Sequence, residues 1–127
     1  MQGAHLGEAQ LQEAQLGGVK LQGTDLVRAQ LQGARFFEAQ FDTSTSFSAA
    51  ILRGAALKAV DCAMAKFSQD QIEETFGDAS VTLGDLKKPA HWDQSDDPLE
   101  FFNFHNKWRA WQRSIGMTPD GPSDDAG

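Results

Sequence analysis

The stretch that decides the fold is residues 4–41, which read AHLGE AQLQE AQLGG VKLQG TDLVR AQLQG ARFFE AQF. A Leu or Phe recurs at every fifth residue of this stretch, and a second series follows one residue out of phase. The two series comprise Leu6, Leu11, Leu16, Leu21, Leu26, Leu31, Phe36, Phe41, Phe47, Leu52, Leu57, Cys62 and Phe67. An internal repeat that continues over thirteen units predicts a repeat architecture.

A small residue stands two positions before each Leu, Phe or Cys of the two series. Nine of these thirteen positions hold Ala, and the others hold Val or Thr. A period of five suits neither an α-helix, with about 3.6 residues per turn, nor a β-strand, with a period of about two. It predicts a square coil with one pentad on each side, in which the bulky residue fills the interior. Stacked coils would bury a continuous ladder of like residues, as solenoids do.

The pentads resemble the pentapeptide-repeat family, whose consensus is Ala-(Asp/Asn)-Leu-x-x. Residues 4–8 (AHLGE), 9–13 (AQLQE) and 29–33 (AQLQG) match this consensus in turn. Gln often replaces the usual Asp or Asn before the Leu, as at Gln10 and Gln30. That position points outward in the family's fold, so the replacement leaves the expected fold unchanged.

The resemblance covers residues 2–69 and implies an all-β solenoid, a right-handed quadrilateral β-helix. Thirteen pentads at four per coil give about three coils, and we assign residues 1–69 to this β-helix. The phase break at residues 42–46 adds one residue, which we interpret as a tolerated insertion, with a contact point as the alternative. The sequence starts inside the first pentad, so we expect another copy of the chain or preceding residues to cover that open edge.

Composition excludes several classes of protein. The 127 residues carry 11 Lys and Arg against 18 Asp and Glu, a net charge of −7, which argues against generic nucleic-acid binding. A single cysteine excludes an internal disulfide framework and a Cys-rich zinc site. The sequence contains no apolar run long enough to span a membrane and no signal-peptide pattern at its N-terminus. We therefore expect a cytoplasmic protein, with peripheral membrane association as an alternative.

The charge is unevenly distributed, which bears on one function known in the family. Some pentapeptide-repeat proteins are dimeric rods that imitate duplex DNA, bind gyrase and protect it from quinolones. Residues 1–67 hold six acids and six bases, whereas residues 68–127 hold twelve acids and five bases. The β-helix, which we call the column, has no net charge over residues 1–67 and is therefore a poor imitation of DNA. A gyrase-binding mimic is accordingly only our alternative prediction.

Residues 70–92 are predicted to form a capping segment on the last coil. Ser68-Gln69-Asp70-Gln71 has the form of a capping box, and Gly77 offers an end to the short helix. Residues 78–83 alternate like a strand. The segment resembles a tail that follows pentapeptide repeats in many bacterial proteins, Phe-Gly-Asp-x-(Ser/Thr)-x-Leu and then Pro-x-His-Trp. The resemblance implies that Trp92 lies over the last coil and that His91 is structural.

A linker at residues 93–97 precedes a predicted amphipathic helix at residues 98–115. Asp97 suits the N-cap and Pro98 the first helical position, while Gly116 suits the end. Aromatic and aliphatic residues spaced by three and four make one face of this helix: Phe101, Phe104, Trp108, Trp111 and Ile115. Residues 116–127 are acidic and rich in Pro and Gly, and we predict that they are disordered.

The aromatic face must be buried against something, and the sequence leaves four candidates open. It packs back on the β-helix, forms a dimer with a second copy, docks on another protein, or lies on an anionic membrane through flanking basic residues. We take the five residues of this face as the candidate interaction surface.

The sequence shows no catalytic motif. His5, His91 and His105 lie far apart, without the spacing of a helical metal pair. Cys62 occupies an inward position of the repeat, which indicates a buried side chain rather than a nucleophile. An enzyme would require a cleft between the column and the C-terminal residues, at His91 and Asp93. We therefore predict a non-enzymatic scaffold for protein–protein interaction that needs no cofactor or metal and binds no nucleic acid directly.

Overall fold

The structure is a computed structural model that describes residues 5–63, 65 and 67–117. Within these residues the chain forms three short strands and two helices, in the order β1 (Arg35–Phe37), β2 (Ala56–Lys58), α1 (Gln69–Glu73), β3 (Phe76–Gly77) and α2 (Phe101–Ser114). The strands make one parallel sheet in the order β1-β2-β3. The rest of the β structure consists of isolated parallel bridges.

The bridges join residues that are 20 or 21 positions apart, and they recur on four sides of the chain. The bridges form these ladders: His5–Asp25–Ser46, Gln10–Gln30–Ile51, Gln15–Arg35–Ala56–Phe76, Lys20–Gln40 and Asp61–Thr82. Asp61 follows Gln40 by 21 positions, so the last two ladders fall on the same side. Twenty residues are four pentads, so the chain returns to the same side after every four. The chain therefore winds as a solenoid of parallel β-bridges, as the period of five predicts.

The predicted insertion explains why the bridges that span residues 42–46 join residues 21 positions apart. The bridge from His5 to Asp25 spans 20 residues, whereas the next, from Asp25 to Ser46, spans 21. Asp42 organises the extra residue because its carboxylate accepts hydrogen bonds from the Ser44 hydroxyl at 2.6 Å and from the Gly23 amide at 3.2 Å. The bond from Ser44, with those from Gly23 and Thr45, lowers the pKa of Asp42. The inserted residue therefore lies in a turn that hydrogen bonds to the Asp42 side chain hold in place.

The interior is a ladder of the recurring Leu and Phe residues. Eleven of the thirteen predicted positions, from Leu16 to Phe67, are buried, while Leu6 and Leu11 at the N-terminal end are partly buried. Four phenylalanines form the aromatic part of this core, and the rings of Phe47 and Phe67 stack with centroids 4.5 Å apart. Burial of large apolar side chains is the main favourable contribution to such a fold.

The turns between pentads place one residue in five at positive φ. These residues are Glu8, Glu13, Gly18, Gly23, Arg28, Gly33, Glu38, Ala49, Gly54 and Ala59. A hydrogen bond closes eight of these ten turns, as from the Ala9 amide to the Leu6 carbonyl at 3.0 Å. Positive φ at the third residue is the requirement of a type II turn, which glycine meets without strain. Glycine at this position of the repeat therefore serves the backbone conformation of the turn.

The C-terminal segment, residues 68–93, lies against the last part of the column. Ser68 caps α1 with the predicted capping box, and Ile72 of this helix is fully buried. The Gln71 amide group donates to the carbonyls of Phe47, at 2.7 Å, and Ala50, at 3.1 Å. Side chains of α1 thereby occupy backbone acceptors of the column.

Two details of this segment differ from the sequence-based expectation. Helix α1 ends at Glu73, and Gly77 lies in β3, where the ring of Trp92 packs over it. Residues 78–83 form no continuous strand; only Thr82 makes a bridge. The Asp78 carboxylate bends this stretch by accepting from the Ser80 amide at 2.9 Å and from its hydroxyl.

The predicted disordered tail lies largely outside the described residues, since only Gly116 and Met117 of it are described. Among the described residues, none of the helices has the length and apolar character that crossing a membrane requires.

Candidate interaction surface

Helix α2 is held on the column by two side-chain hydrogen bonds to one carbonyl oxygen. The Trp108 indole Nε1 and the Gln112 Nε2 each donate to the Gly54 carbonyl at 2.8 Å. Gly54 stands at a turn position of the repeat, with φ +80°, and Met117 packs against its Cα. The column therefore offers a backbone carbonyl at a residue without a side chain, and two buried side chains of α2 donate hydrogen bonds to it.

A second apolar cluster lies between α2 and the outer face of the sheet. It contains Ala56 of β2, Phe76 of β3 and two residues of α2, Phe104 and Trp108. The Phe37 side chain of β1 joins it, with its ring centroid 5.7 Å from that of Phe104 and 6.3 Å from that of Trp108. Edge-on aromatic pairs of this geometry add to the stabilisation from area burial.

A buried ion pair fixes the chain just before α2. Lys58 Nζ lies 2.7 Å from Asp78 Oδ2 and 2.6 Å from the Leu99 carbonyl, and Asp78 Oδ2 accepts from the Leu99 amide at 2.8 Å. Burial by itself raises the pKa of Asp78, but the hydrogen bonds from Lys58, Ser80 and Leu99 outweigh it and hold the pKa below its ordinary value. The carboxylate is therefore charged at neutral pH and binds both chain segments.

This ion pair explains why α2 begins at Phe101 and not at the predicted residue 98. The backbone groups of Leu99 bind Asp78 and Lys58, so the segment before the helix is extended against the column. Glu100 is the N-cap residue and its side chain makes no capping hydrogen bond. At the other end, Gly116 follows the helix with φ +89°, as the sequence predicts.

The structure separates the five predicted surface residues into two groups. Phe104 and Trp108 are fully buried against the column, so they contribute no exposed surface. Trp111 and Ile115 are half-buried, whereas Phe101 is 59% exposed. The predicted face thus contains both the contact with the column and an exposed end.

Sequence reasoning missed Phe102, which is 68% exposed beside Phe101. Phe102 lies off the three-four stripe, so a helical periodicity could not select it. Two adjacent aromatic residues at the start of a helix were the available signal. Phe101 and Phe102 form the exposed pair, the candidate interaction surface of the folded protein.

The exposed pair lies in acidic surroundings. Glu100 precedes it directly, and Asp96 and Asp97 stand a few residues earlier; all three residues are exposed. The Glu100 carboxylate accepts a hydrogen bond from the Asn103 side chain at 3.1 Å. The surface beside the exposed pair is therefore acidic.

His91 and Asp93 do meet in a cleft, of about 310 Å³, between the C-terminal segment and α2. Both side chains already have structural partners: the His91 ring stacks on Trp111 at 4.7 Å, and its Nε2 donates to the Thr75 carbonyl. Asp93 accepts from Lys107 at 2.9 Å and from the Ser95 hydroxyl, and these bonds lower its pKa. The cleft therefore joins α2 to the C-terminal segment through bonds that occupy its polar groups.

Cys62 lies in the interior, as its position in the repeat predicts. Its side chain is fully buried, and burial, with the nearby Asp61 carboxylate, raises the pKa of the thiol to about 12. A thiol with this pKa carries almost no thiolate at neutral pH. Cys62 therefore serves as a packing residue.

Comparison with known proteins agrees with the repeat and the solenoid. A model of pentapeptide repeats matches residues 1–36 and 9–45, with eight copies. HetL, a pentapeptide repeat protein involved in heterocyst differentiation regulation in the cyanobacterium Nostoc, is 24% identical with a TM-score of 0.52. This match covers 65% of the chain and only 38% of HetL.

A second similar structure is a pentapeptide repeat protein from the thylakoid lumen of Arabidopsis thaliana. It is 18% identical with a TM-score of 0.50, and the match covers 97% of the chain and 80% of that protein. These identities support the fold alone, and no curated protein matches the sequence. The repeat pattern, the parallel bridges and the repeat model, which matches within residues 1–45, together support the pentapeptide-repeat family.

Proposed function

We propose that the protein is a non-enzymatic scaffold for protein–protein interaction and that it presents the exposed pair to a protein partner. The observation that carries the proposal is the exposure of Phe101 and Phe102, at 59% and 68%, on a helix whose other aromatic residues are fixed to the column. Exposed aromatic side chains on a rigid support lose little conformational entropy on binding. Such residues are frequent hot spots of protein interfaces.

The contacts of Phe101 support a role as an anchored end of the surface. Its ring centroid lies 5.3 Å from that of Phe37 and 6.4 Å from that of His105. One side of the ring is thus supported by the column while the other is open. Phe102 lies beside it with a larger exposed fraction, which makes it the residue with the most area to bury on a partner.

We also propose the finer architecture. The four sides of the solenoid are those of a right-handed quadrilateral β-helix of about three coils, spanning residues 1–69. Residues 70–92 serve as its C-terminal cap, residues 93–97 as a linker and residues 98–115 as the unit that contains α2. The support is the four-sided recurrence of bridges and the contacts of the C-terminal segment with column carbonyls.

Three alternatives remain outcomes of the test. Self-association would use the exposed pair of two copies, and membrane contact would insert the pair into lipid. The carboxylates beside the pair oppose contact with anionic lipid. The gyrase-binding DNA mimic gains no specific support, because residues 1–67 have no net charge. A cytoplasmic location stays a prediction.

The test compares the full chain with a Phe101→Ser/Phe102→Ser variant in affinity capture from native lysate. Ile51→Ser is the matched control, because Ile51 is also an exposed apolar residue, at 44%, but lies on the column. We expect the double variant to lose a protein that the wild type and the control retain. Equal capture by all three chains would contradict the proposal. Sedimentation of each chain alone, and with vesicles of neutral lipid, identifies a dimer or a membrane contact instead.

A further inference from the structure

The chain that follows the last turn of α2 is seated on the column between two glycines. Gly33 and Gly54 stand at the same turn position of consecutive coils, and both have positive φ. The Met117 side chain lies in this glycine notch. A Cβ on Gly54 would overlap its Sδ and lie 2.6 Å from its Cε, and a Cβ on Gly33 would lie 3.6 Å from its Cε. The thioether therefore occupies the room that two absent side chains leave.

The hydrogen bonds that hold α2 on the column lie beside this notch. The Gly54 carbonyl accepts from Trp108 and from Gln112, each at 2.8 Å, and the Met117 amide donates to the Gln112 carbonyl at 2.9 Å. Gln112 Nε2 also lies 3.5 Å and 3.6 Å from the positions that a Cβ would take on Gly54 and Gly33. The donor that fixes α2 to the column therefore borders the seat of the thioether.

The two sulfur-containing residues that the structure describes differ in their access to solvent. Cys62 is fully buried, and burial raises the pKa of its thiol to about 12. Met117 is only half-buried, although Trp108 and Gln112 beside it are buried. Susceptibility to oxidation follows exposure, so a small oxidant in solution reaches the Met117 thioether in preference to the Cys62 thiol.

Oxidation by hydrogen peroxide would change what the notch must hold. The Sδ lone pair forms an S–O bond while the O–O bond breaks, the proton of the transferred oxygen passes to the departing hydroxide, and water leaves. The sulfur thus loses the two electrons that the peroxide gains, and the product is a sulfoxide. Its oxygen is polar and needs room where Sδ contacts the backbone of Gly54. It also competes with the Gly54 carbonyl for the Gln112 amide group.

We propose that Met117 is a redox-sensitive latch. As a thioether it holds the C-terminal end of α2 in the glycine notch, and its oxidation to the sulfoxide by hydrogen peroxide releases this end from the column. The start of α2 stays attached, because the Lys58–Asp78 ion pair and the Phe104 ring lie at the other end of the helix. The latch acts on the attachment of α2 and requires no partner of the exposed pair, so the two proposals stand or fall separately.

The test treats the full chain with hydrogen peroxide and measures the hydrogen exchange of the indole N–H groups by NMR. Mass spectrometry of peptides identifies which of Met1, Met64 and Met117 carries the added oxygen. The Trp108 indole donates to the Gly54 carbonyl beside the notch, so we expect its exchange to become at least about tenfold faster when Met117 is oxidised. The Trp92 indole donates to the Thr75 carbonyl, and its exchange should stay within about twofold.

A Met117→Leu variant is the matched control, because leucine fills the notch with a side chain that peroxide does not oxidise. We expect the same treatment to leave its Trp108 exchange unchanged. A Met117→Gln variant places a polar group in the notch and should exchange at Trp108 like the oxidised wild type without any treatment. Reduction of the sulfoxide by methionine sulfoxide reductases should restore the slow exchange of the wild type.

Four results would overturn the proposal. The first is oxidised Met117 with unchanged exchange at Trp108, and the second is an equal acceleration in the Met117→Leu variant, which would assign the effect to another residue. The third is a Met117 that resists peroxide under conditions that oxidise an unstructured methionine peptide. The fourth is an equal acceleration at Trp92, which would mean that the C-terminal half opens as a whole.

Discussion

The two ends of the column differ in how they treat the edge of a β-structure. At the C-terminal end, the carbonyls of Phe47 and Ala50 accept hydrogen bonds from the Gln71 side chain of α1, at 2.7 and 3.1 Å. Among the described residues, by contrast, the amides and carbonyls of Gln10 and Gln15 make no backbone hydrogen bond. Within the described part of the chain, the repeat is therefore paired with other residues on its C-terminal side and carries unpaired backbone groups at Gln10 and Gln15.

The difference shows that the repeat does not provide its own ends. Each pentad satisfies its backbone through the coils on either side, so an edge needs groups from outside the repeat. At the C-terminal end those groups come from α1 and from β3, which are not pentads: Phe76 of β3 donates its amide to the Ala55 carbonyl at 2.9 Å. Stability should accordingly be concentrated toward the C-terminal half, where α2 adds a second apolar cluster.

The largest expected effect on stability is that of Trp92→Ala, which we compare with Leu6→Ala at the start of the described repeat. Trp92 is 2% exposed and donates to the Thr75 carbonyl, so its removal leaves a cavity and an unpaired acceptor. We expect a loss of about 3–5 kcal/mol in the free energy of unfolding. Leu6 is only partly buried, and we expect Leu6→Ala to cost about 1 kcal/mol.

Urea unfolding followed by circular dichroism measures both losses with the same probe. A Trp92→Ala variant as stable as Leu6→Ala would contradict the claim that the C-terminal residues stabilise the column. The two ends of the column would then differ in their hydrogen bonding alone.

The next effect concerns the ion pair before α2. Asp78→Asn removes the charge that pairs with Lys58, whose side chain is 14% exposed, and we expect a loss of about 3 kcal/mol. Asp85→Asn is the control, since Asp85 is exposed, and should change the stability by less than about 0.5 kcal/mol. Tryptophan fluorescence in urea reports this region because all three Trp residues, Trp92, Trp108 and Trp111, belong to the C-terminal half.

The same ion pair predicts a pH dependence. The pKa of Asp78 in the folded protein is below the ordinary value of an aspartate side chain, so the folded carboxylate binds a proton less readily than the unfolded one. Its contribution to stability is therefore complete above that value and is lost as the pH falls through the lower folded pKa. In the Asp78→Asn variant, the slope of stability against pH in this acidic range should be smaller than in the wild type. An unchanged slope would assign the acid sensitivity to Asp42 and Asp93, whose pKa values are also lowered.

A smaller effect distinguishes two glycines. A Cβ on Gly77 would lie 2.6 Å from a ring carbon of Trp92, whereas a Cβ on Gly18 would meet nothing within 4 Å. We expect Gly77→Ala to cost about 2 kcal/mol by displacing the ring. Gly18→Ala should cost about 1 kcal/mol, from positive φ alone. Equal costs would mean that Trp92 shifts freely, and thermal unfolding of the two variants decides it.

The period of five predicted the column because the inward position depends on local spacing alone. It also predicted the burial of Cys62, while the Ser-x-x-Gln pattern of residues 68–71 predicted the capping box at Ser68; the structure shows both. The start of α2 was predicted three residues early because a sequence pattern for capping does not include the binding of Leu99 by Asp78 and Lys58.

The sequence indicated that one face of α2 must be buried, but not which part of the column this face contacts. The aromatic stripe showed that a face must be buried, whereas its acceptor, the Gly54 carbonyl, is a backbone group without a sequence signature. Phe37 was an available signal, because it places an aromatic side chain where the repeat faces outward. The exposure of Phe102 depends on the angle at which the helix lies, which periodicity does not determine.

The measurement that tests the contrast of the two ends most directly is native-state amide hydrogen exchange, resolved by residue. It compares the amides of Gln10, Gln15 and Lys20 with those of Gln30, Arg35 and Gln40, their equivalents one coil later. We expect little protection for the first group and strong protection for the second, because, among the described residues, only the second donates to backbone carbonyls. Equal protection of the two groups would contradict the contrast between the two ends of the described repeat.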